Sequence, residues 1–290
     1  MSQLVGEFSV NLFCRVVELA PSTFYYHPQM AETLELRNAI EEIALEYPRY
    51  GYRHISAELN LRGWQVNHKP MLNLMREGNL VVEVRRYCRS TTNSRHGYGR
   101  YPNLIKQVEI VRPDQVWCAD LTYIRLEREF IYLAVVLDLF TRTIRGWELG
   151  RHLTEELTKT ALERALQTLR PEIHHWDQGV QDAATGYVRV LEAAQVQISM
   201  AARDKPTENA SAERFMRTLK EEEVSLHEYG DLNDARQHLA RFLDEVYMHK
   251  RVHSSLGYKP PAEFEAQWLE QATKNADQFI PTDRTLDPCQ

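Results

Sequence analysis

The sequence predicts an α/β protein: a mixed sheet with flanking helices, preceded by an all-α region with a helix-turn-helix pattern. Three observations lead there. Five β-rich runs lie after residue 115, first three in succession and then alternating with helical segments. The first 80 residues carry only short, amphipathic helical patterns. A basic, acid-free stretch separates the two textures.

Taken in order, "VNLFCRVVEL" has apolar residues at helical spacing, and "APSTFYYH" supplies a turn with Ser22 as cap for a second short helix. "AETLELRNAIEEIALEYP" is a longer amphipathic helix stopped by Pro48. Two helices then flank a turn at Arg62–Gly63–Trp64, the second starting near Asn67 or His68 and ending at Gly78. Helix, glycine turn, helix is a pattern whose second helix often enters a DNA groove, and by spacing alone plain three-helix packing without DNA is the more frequent reading. Between Val84 and Gln107 stand Arg85, Arg86, Arg89, Arg95, Arg100 and Lys106 without an acid, interleaved with Tyr87, Tyr98 and Tyr101. The segment reads as a phosphate-tracking stretch or as a solvated linker.

The strand runs are "QVWCADLTYIRL", "EFIYLAVVLDLF", "TRTIRGWELG", "EIHHW" and "VQISM". Helices are expected at "TEELTKTALERALQTL", around Thr185–Ala194, over 206–223 and over 231–248, with another short one after the basic loop "HKRVHSSLGYK".

The net charge of −6 is unevenly spread, the first 110 residues being slightly basic and the remainder acidic. No run approaches the ~18 apolar residues of a membrane span, and no signal peptide is apparent. Four scattered cysteines without a CxxC pair point to a reduced, cytoplasmic protein without structural zinc.

Two acids stand out. Asp120 sits among apolar strand residues, and Asp177 ends the run "IHHWDQG", where strand should give way to loop. Each alone reads as a turn or cap residue; two sheet-borne carboxylates together need one more to hold hard divalent ions. The 206–223 helix can supply it. Ala212, Phe215, Met216 and Leu219 form its apolar stripe, while Glu213, Arg217 and Lys220 share a neighbouring edge. Glu208 lies near the helix start, and the run Glu221–Glu223 is expected in solvent. A surface Glu213–Arg217 pair is the competing reading.

These residues carry a resemblance. "DQVWCADLTYIRLEREFIYLAVVLDLFTRTIRGWEL", "HHWDQG" and "NASAERFMRTLKEE" resemble the integrase core of bacterial insertion-sequence transposases of the second-reading-frame (OrfB) type, related to retroviral integrases. "HKRVHSSLGYKPPAEFE" and "PRYGYRHISAELNLRGWQVNHKPMLNLMREGNL" match that group's C-terminal and N-terminal segments, and 35 residues separate Asp177 from Glu213, as in the family. The resemblance implies an RNase H-like core with a mixed five-stranded sheet. It implies Asp120, Asp177 and Glu213 as catalytic residues and ligands of two Mg²⁺ or Mn²⁺ ions, with Lys220 on the DNA end. Arg217, Arg85, Arg86, Arg89, Lys69 and Arg251 are further candidate DNA contacts. Asp138 is expected to be structural, and His174 and His175 to pack the sheet.

Trp176 stands where the family usually has serine, and Asp182 where an aromatic is common; both neighbour Asp177. The expected organisation is a helix-turn-helix-like segment (1–33), a helical DNA-binding domain (34–83), a basic linker (84–110), the catalytic core (111–228) and a C-terminal helical segment with tail (229–290). The expected function is metal-dependent nicking and strand transfer at the terminal inverted repeats of a mobile element, into target DNA. The expected working form is a homo-oligomer, with the upstream reading-frame product as a candidate partner, in the bacterial cytoplasm. The alternatives are a non-catalytic DNA-binding regulator and a nuclease of the same fold that does not join strands.

Overall fold

The first layer is built by strand pairing. In the computed structural model, which describes residues 14–16, 30–82, 101–176, 185–201 and 210–278, β1 (Val116–Arg125), β2 (Phe130–Asp138) and β3 (Ile144–Gly150) form an antiparallel meander. β4 (Ile173–Trp176) and β5 (Gln197–Met200) add in parallel beside β1, giving the order β3-β2-β1-β4-β5. The mixed five-stranded sheet read from the sequence is therefore present.

Strand alternation decides what each face meets. Val116, Cys118 and Ile124 of β1 join Ala212, Phe215, Met216 and Leu219 in one apolar cluster, beneath α6 (Ala210–Glu222). Trp117 and Ala119 point the other way, into a cluster with α4 (Glu155–Leu166) and α5 (Thr185–Ala193). Gly146 lets α4 lie close on the sheet. A Cβ there would collide with the Ala161 carbonyl and sit 2.8 Å from the Ala165 nitrogen.

Asp138 ties the β2–β3 turn, as expected of a structural acid. It is fully buried, and its carboxylate accepts from the backbone N–H groups of Phe140, Thr141 and Asp114 and from the Thr141 hydroxyl, at 2.7–2.9 Å. That many donors offset the cost of burying an anion.

The N-terminal helices α1 (Met30–Glu46), α2 (Tyr52–Leu61) and α3 (His68–Glu77) close a separate cluster around Ile40, Ile43, Ile55, Leu59, Met71 and Met75. Gly63, at φ +89°, makes the left-handed turn between α2 and α3. The Asn67 side chain caps α3 by accepting from the Lys69 N–H at 3.2 Å. Val252 enters this same cluster and donates its N–H to the Tyr50 hydroxyl at 3.1 Å.

The helix expected over 231–248 changes winding partway. α7 (Leu232–Ala240) runs on as π-helix over Arg241–Lys250. In π winding the backbone bonds run between residues five apart, and Phe242 and Tyr247 both face the core, ring centres 6.5 Å apart. The last helix, α8 (Pro261–Gln278), braces the sheet's end: Arg145 is held between Asp114 and Glu265, and Phe140 packs on Phe264 and Trp268.

Candidate active site and nucleic-acid interface

Asp120 lies mid-strand opposite Val135, on the face that meets α6. Described pairing between β4 and β1 stops at Cys118–His175. Past that point the edge of β1 carries no described partner strand, and Asp120 and Leu121 are only partly buried, after four buried residues. Its Oδ1 accepts from the Leu121 N–H at 2.8 Å.

α6 packs directly on β1. Its apolar stripe is buried as the periodicity requires, while Glu213 and Arg217 are exposed on the adjoining edge. Lys220, two turns beyond Glu213, is half-buried with its ammonium 4.7 Å from the centre of the Tyr123 ring. Burial pushes its pKa down, and the Asp120 carboxylate opposes that shift. Strand acid and helix base thus share one electrostatic environment.

Asp177, Asp182, Glu208, Arg85, Arg86 and Arg89 lie outside the described residues. Trp176, the last residue of β4, is fully buried against His174 and Tyr187, at ring distances of 5.2 and 5.5 Å. It belongs to the cluster under α4 and α5, on the opposite face from Asp120, so its bulk is absorbed in core packing. His174 and His175 pack the sheet as expected, hydrogen-bonded to the Tyr187 and Ser199 hydroxyls at 2.7 and 2.8 Å. Burial, with His175 beside it, lowers the His174 pKa to about 3.

Two expectations are corrected. Arg251 is 6% exposed, and its guanidinium grips Glu222 through two bonds of 2.6 and 2.7 Å. A buried fork already filled by a carboxylate is not offered to a phosphate. For the same reason Glu221–Glu223 is not a solvent-facing run: Glu222 is that partner, and Glu223 is buried at 7% exposure. Only Glu221 is exposed. Lys69, by contrast, is exposed on the first turn of α3.

Sequence reasoning missed a cationic cleft of about 360 Å³ beside the start of α6, with Arg142, Arg214, His54 and His253 in its lining. Arg142 sits in the Asp138-braced turn at φ +63°, an uncommon conformation for a residue other than glycine. The one available signal was Arg214, next to Glu213. Burial foremost, then Arg251, His54, Arg142 and Arg214, push the His253 pKa down to about 2.

Comparison with known proteins agrees with this layout. The Integrase core domain family matches residues 111–206 and, in a second model, 194–261; an HTH-like domain matches 31–87. The insertion element IS600 31 kDa protein of Shigella sonnei is 32% identical over 271 residues, 89% of this chain and 99% of its own length. The transposase for insertion sequence element IS904 of Lactococcus lactis is 32% identical, covering 82% of this chain and 96% of its own. The transposase InsF for insertion sequence IS3A of Escherichia coli is 29% identical over 90% and 95%. Among solved structures, a chain of a simian T-cell lymphotropic virus intasome aligns over 87% of this chain and 78% of that one, at 16% identity and TM-score 0.46. At 32% identity to the IS904 transposase along four-fifths of its length, with an HTH-like domain ahead of an integrase core, the chain belongs to the insertion-sequence transposases.

Proposed function

We propose that this transposase nicks DNA at the ends of its element and joins the freed 3′-hydroxyl to target DNA, using Asp120, Asp177 and Glu213 as the acidic triad. The observation that carries the reading is the meeting of α6 and β1. The Lys220 ammonium feels the Asp120 carboxylate, and Glu213 lies seven residues before Lys220 on the same helix edge. Counted on from the Cys118–His175 pair, two residues along each chain lead to Asp120 and Asp177.

The donor set suits hard divalent cations, since it is all carboxylate oxygen and Asp120 is only partly buried. Two Mg²⁺ or Mn²⁺ ions, when bound, supply the Lewis acidity that activates the attacking oxygen and stabilises the leaving one. The chain's own residues do the rest. Asp120 offers its oxygens from β1 and Glu213 from α6, and Asp177 is the next residue in sequence after β4. Lys220, steadied over Tyr123, pairs with a phosphate at the transposon end. Arg217 and Lys69, both exposed, engage the DNA backbone with the linker arginines Arg85, Arg86 and Arg89. Arg142 and Arg214 extend that track through the cationic cleft.

Joining two ends requires at least two active sites in register, so the working form is a homo-oligomer on DNA, with the upstream reading-frame product as a further partner. Among the described residues no helix is long and apolar enough to cross a membrane, and the proposed site of action is the bacterial cytoplasm.

The deciding experiment is a strand-transfer assay on terminal inverted-repeat DNA with Mg²⁺, with and without an upstream-frame fusion. Wild type should nick and join; Asp120→Asn and Glu213→Gln should do neither while still binding the ends. Joining by either variant refutes the triad. End-binding without cleavage by wild type in both formats points to a regulator, and cleavage without joining to a nuclease.

A further inference from the structure

The end of α6 forms a second cluster of ligating side chains that the proposed chemistry does not use. The chain passes from α6 through a short 3₁₀ turn, Val224–Leu226, and then into α7. At this corner the Glu223 carboxylate is buried, and its ion-pair partners are imidazoles. Glu223 Oε1 lies 3.2 Å from His227 Nδ1 and 3.9 Å from His238 Nδ1, and accepts the Tyr229 hydroxyl at 3.1 Å. The two imidazole rings are 4.7 Å apart, and one ligating atom from each of the three residues lies within 4.8 Å of the others. All three line a cleft of about 470 Å³, whose far wall is the turn between α1 and α2.

We propose that Glu223, His227 and His238 form a binding site for a transition-metal ion of the Zn²⁺ class, with a fourth position open to this cleft. Tetrahedral bonds of ~2.0–2.1 Å put neighbouring ligand atoms ~3.3 Å apart. The Glu223–His227 separation already matches that spacing. His238 needs to approach Glu223 by about half an ångström, and the edge between the two imidazoles, within 4.8 Å, closes further to reach it. Two imidazoles and one carboxylate suit Zn²⁺ and its neighbours, whereas Mg²⁺ and Ca²⁺ favour all-oxygen sets such as the catalytic triad.

A bound cation also neutralises a buried carboxylate that has no bonded lysine or arginine among the described residues. Around the ligands, Tyr229 orients the carboxylate, and the Asp234 carboxylate lies 3.7 Å from His238 Nε2, the nitrogen facing away from Glu223. His227 Nδ1 exchanges its 2.9 Å bond with the Glu223 carbonyl for the ion. Because Glu223 follows α6 directly and His238 lies in α7, the ion ties the helix carrying Glu213 and Lys220 to its successor. The cysteine pattern gave no hint of this site, whose three ligands are a glutamate and two histidines.

The test is a titration of the full-length, chelator-stripped protein with Co²⁺ as an optical probe, in excess Mg²⁺ and in the Asp120→Asn background. One Co²⁺ per chain should bind with tetrahedral ligand-field absorption and be displaced by Zn²⁺. His227→Gln, at an exposed position, should keep the native circular dichroism while weakening Co²⁺ by at least ~10-fold; His238→Gln should do the same. Absence of stoichiometric binding, or full affinity in the double histidine variant, overturns the site. Binding that survives both histidine substitutions but falls with Glu213→Gln would assign the ion to the catalytic acids instead, and also overturns it.

Discussion

Replacing Arg251 with alanine separates a structural arginine from a DNA contact. The side chain is 6% exposed and holds Glu222, itself 16% exposed, through two bonds of 2.6 and 2.7 Å. Removing one member of such a pair leaves the other as an uncompensated, largely desolvated charge, which costs about 3–5 kcal/mol when burial is complete. Glu222 retains some water, so about 3 kcal/mol is expected. At ~2–4 °C per kcal/mol, the melting temperature should fall by about 6–12 °C. Glu222→Ala/Arg251→Ala should lose less than the sum of its single variants, because neither charge is then stranded. Thermal and urea unfolding measure the loss. Salt-dependent binding to end DNA measures the alternative: a phosphate contact contributes ~0.9 to the slope of log K against log salt. Native stability with a slope flattened by about one would refute the buried-pair argument.

Gly146→Ala forces a methyl into the backbone of α4 and should destabilise the core by about 1–3 kcal/mol in urea unfolding. His174 has a folded pKa of about 3 against an unfolded value near 6.5. The unfolded chain therefore binds the extra proton, and stability should fall as pH drops from 6.5 towards 3, by at most ~1.4 kcal/mol per pH unit from this residue. His174→Gln should flatten that slope in pH-dependent unfolding. Arg142→Ala with Arg214→Ala should lower the salt slope of DNA binding by about one to two, with unfolding unchanged. An unchanged slope would remove the cationic cleft from the DNA track.

The five strand runs, the two helices about Gly63 and the buried stripe of α6 were legible in the sequence because period and turn chemistry are local properties. Asp138 was also recognisable as a supporting residue. Arg251 and Glu222 misled for the opposite reason. They stand 29 residues apart, and in a linear reading each is an ordinary surface charge until the fold turns both inward. Arg142 showed no pattern at all, since its place in the cationic cleft depends on how the Asp138-held turn meets α6 and α2.

The sequence alone determined the α/β class, the order of the elements, the family, and the spacing that nominates Asp177 and Glu213, all of which are written in near-neighbour periodicity and motif. Only the tertiary structure decided which charges face solvent, which pair in the interior, and that Lys220 shares the field of Asp120. Burial and electrostatic coupling depend on distances between residues far apart in the chain, and packing alone sets those distances.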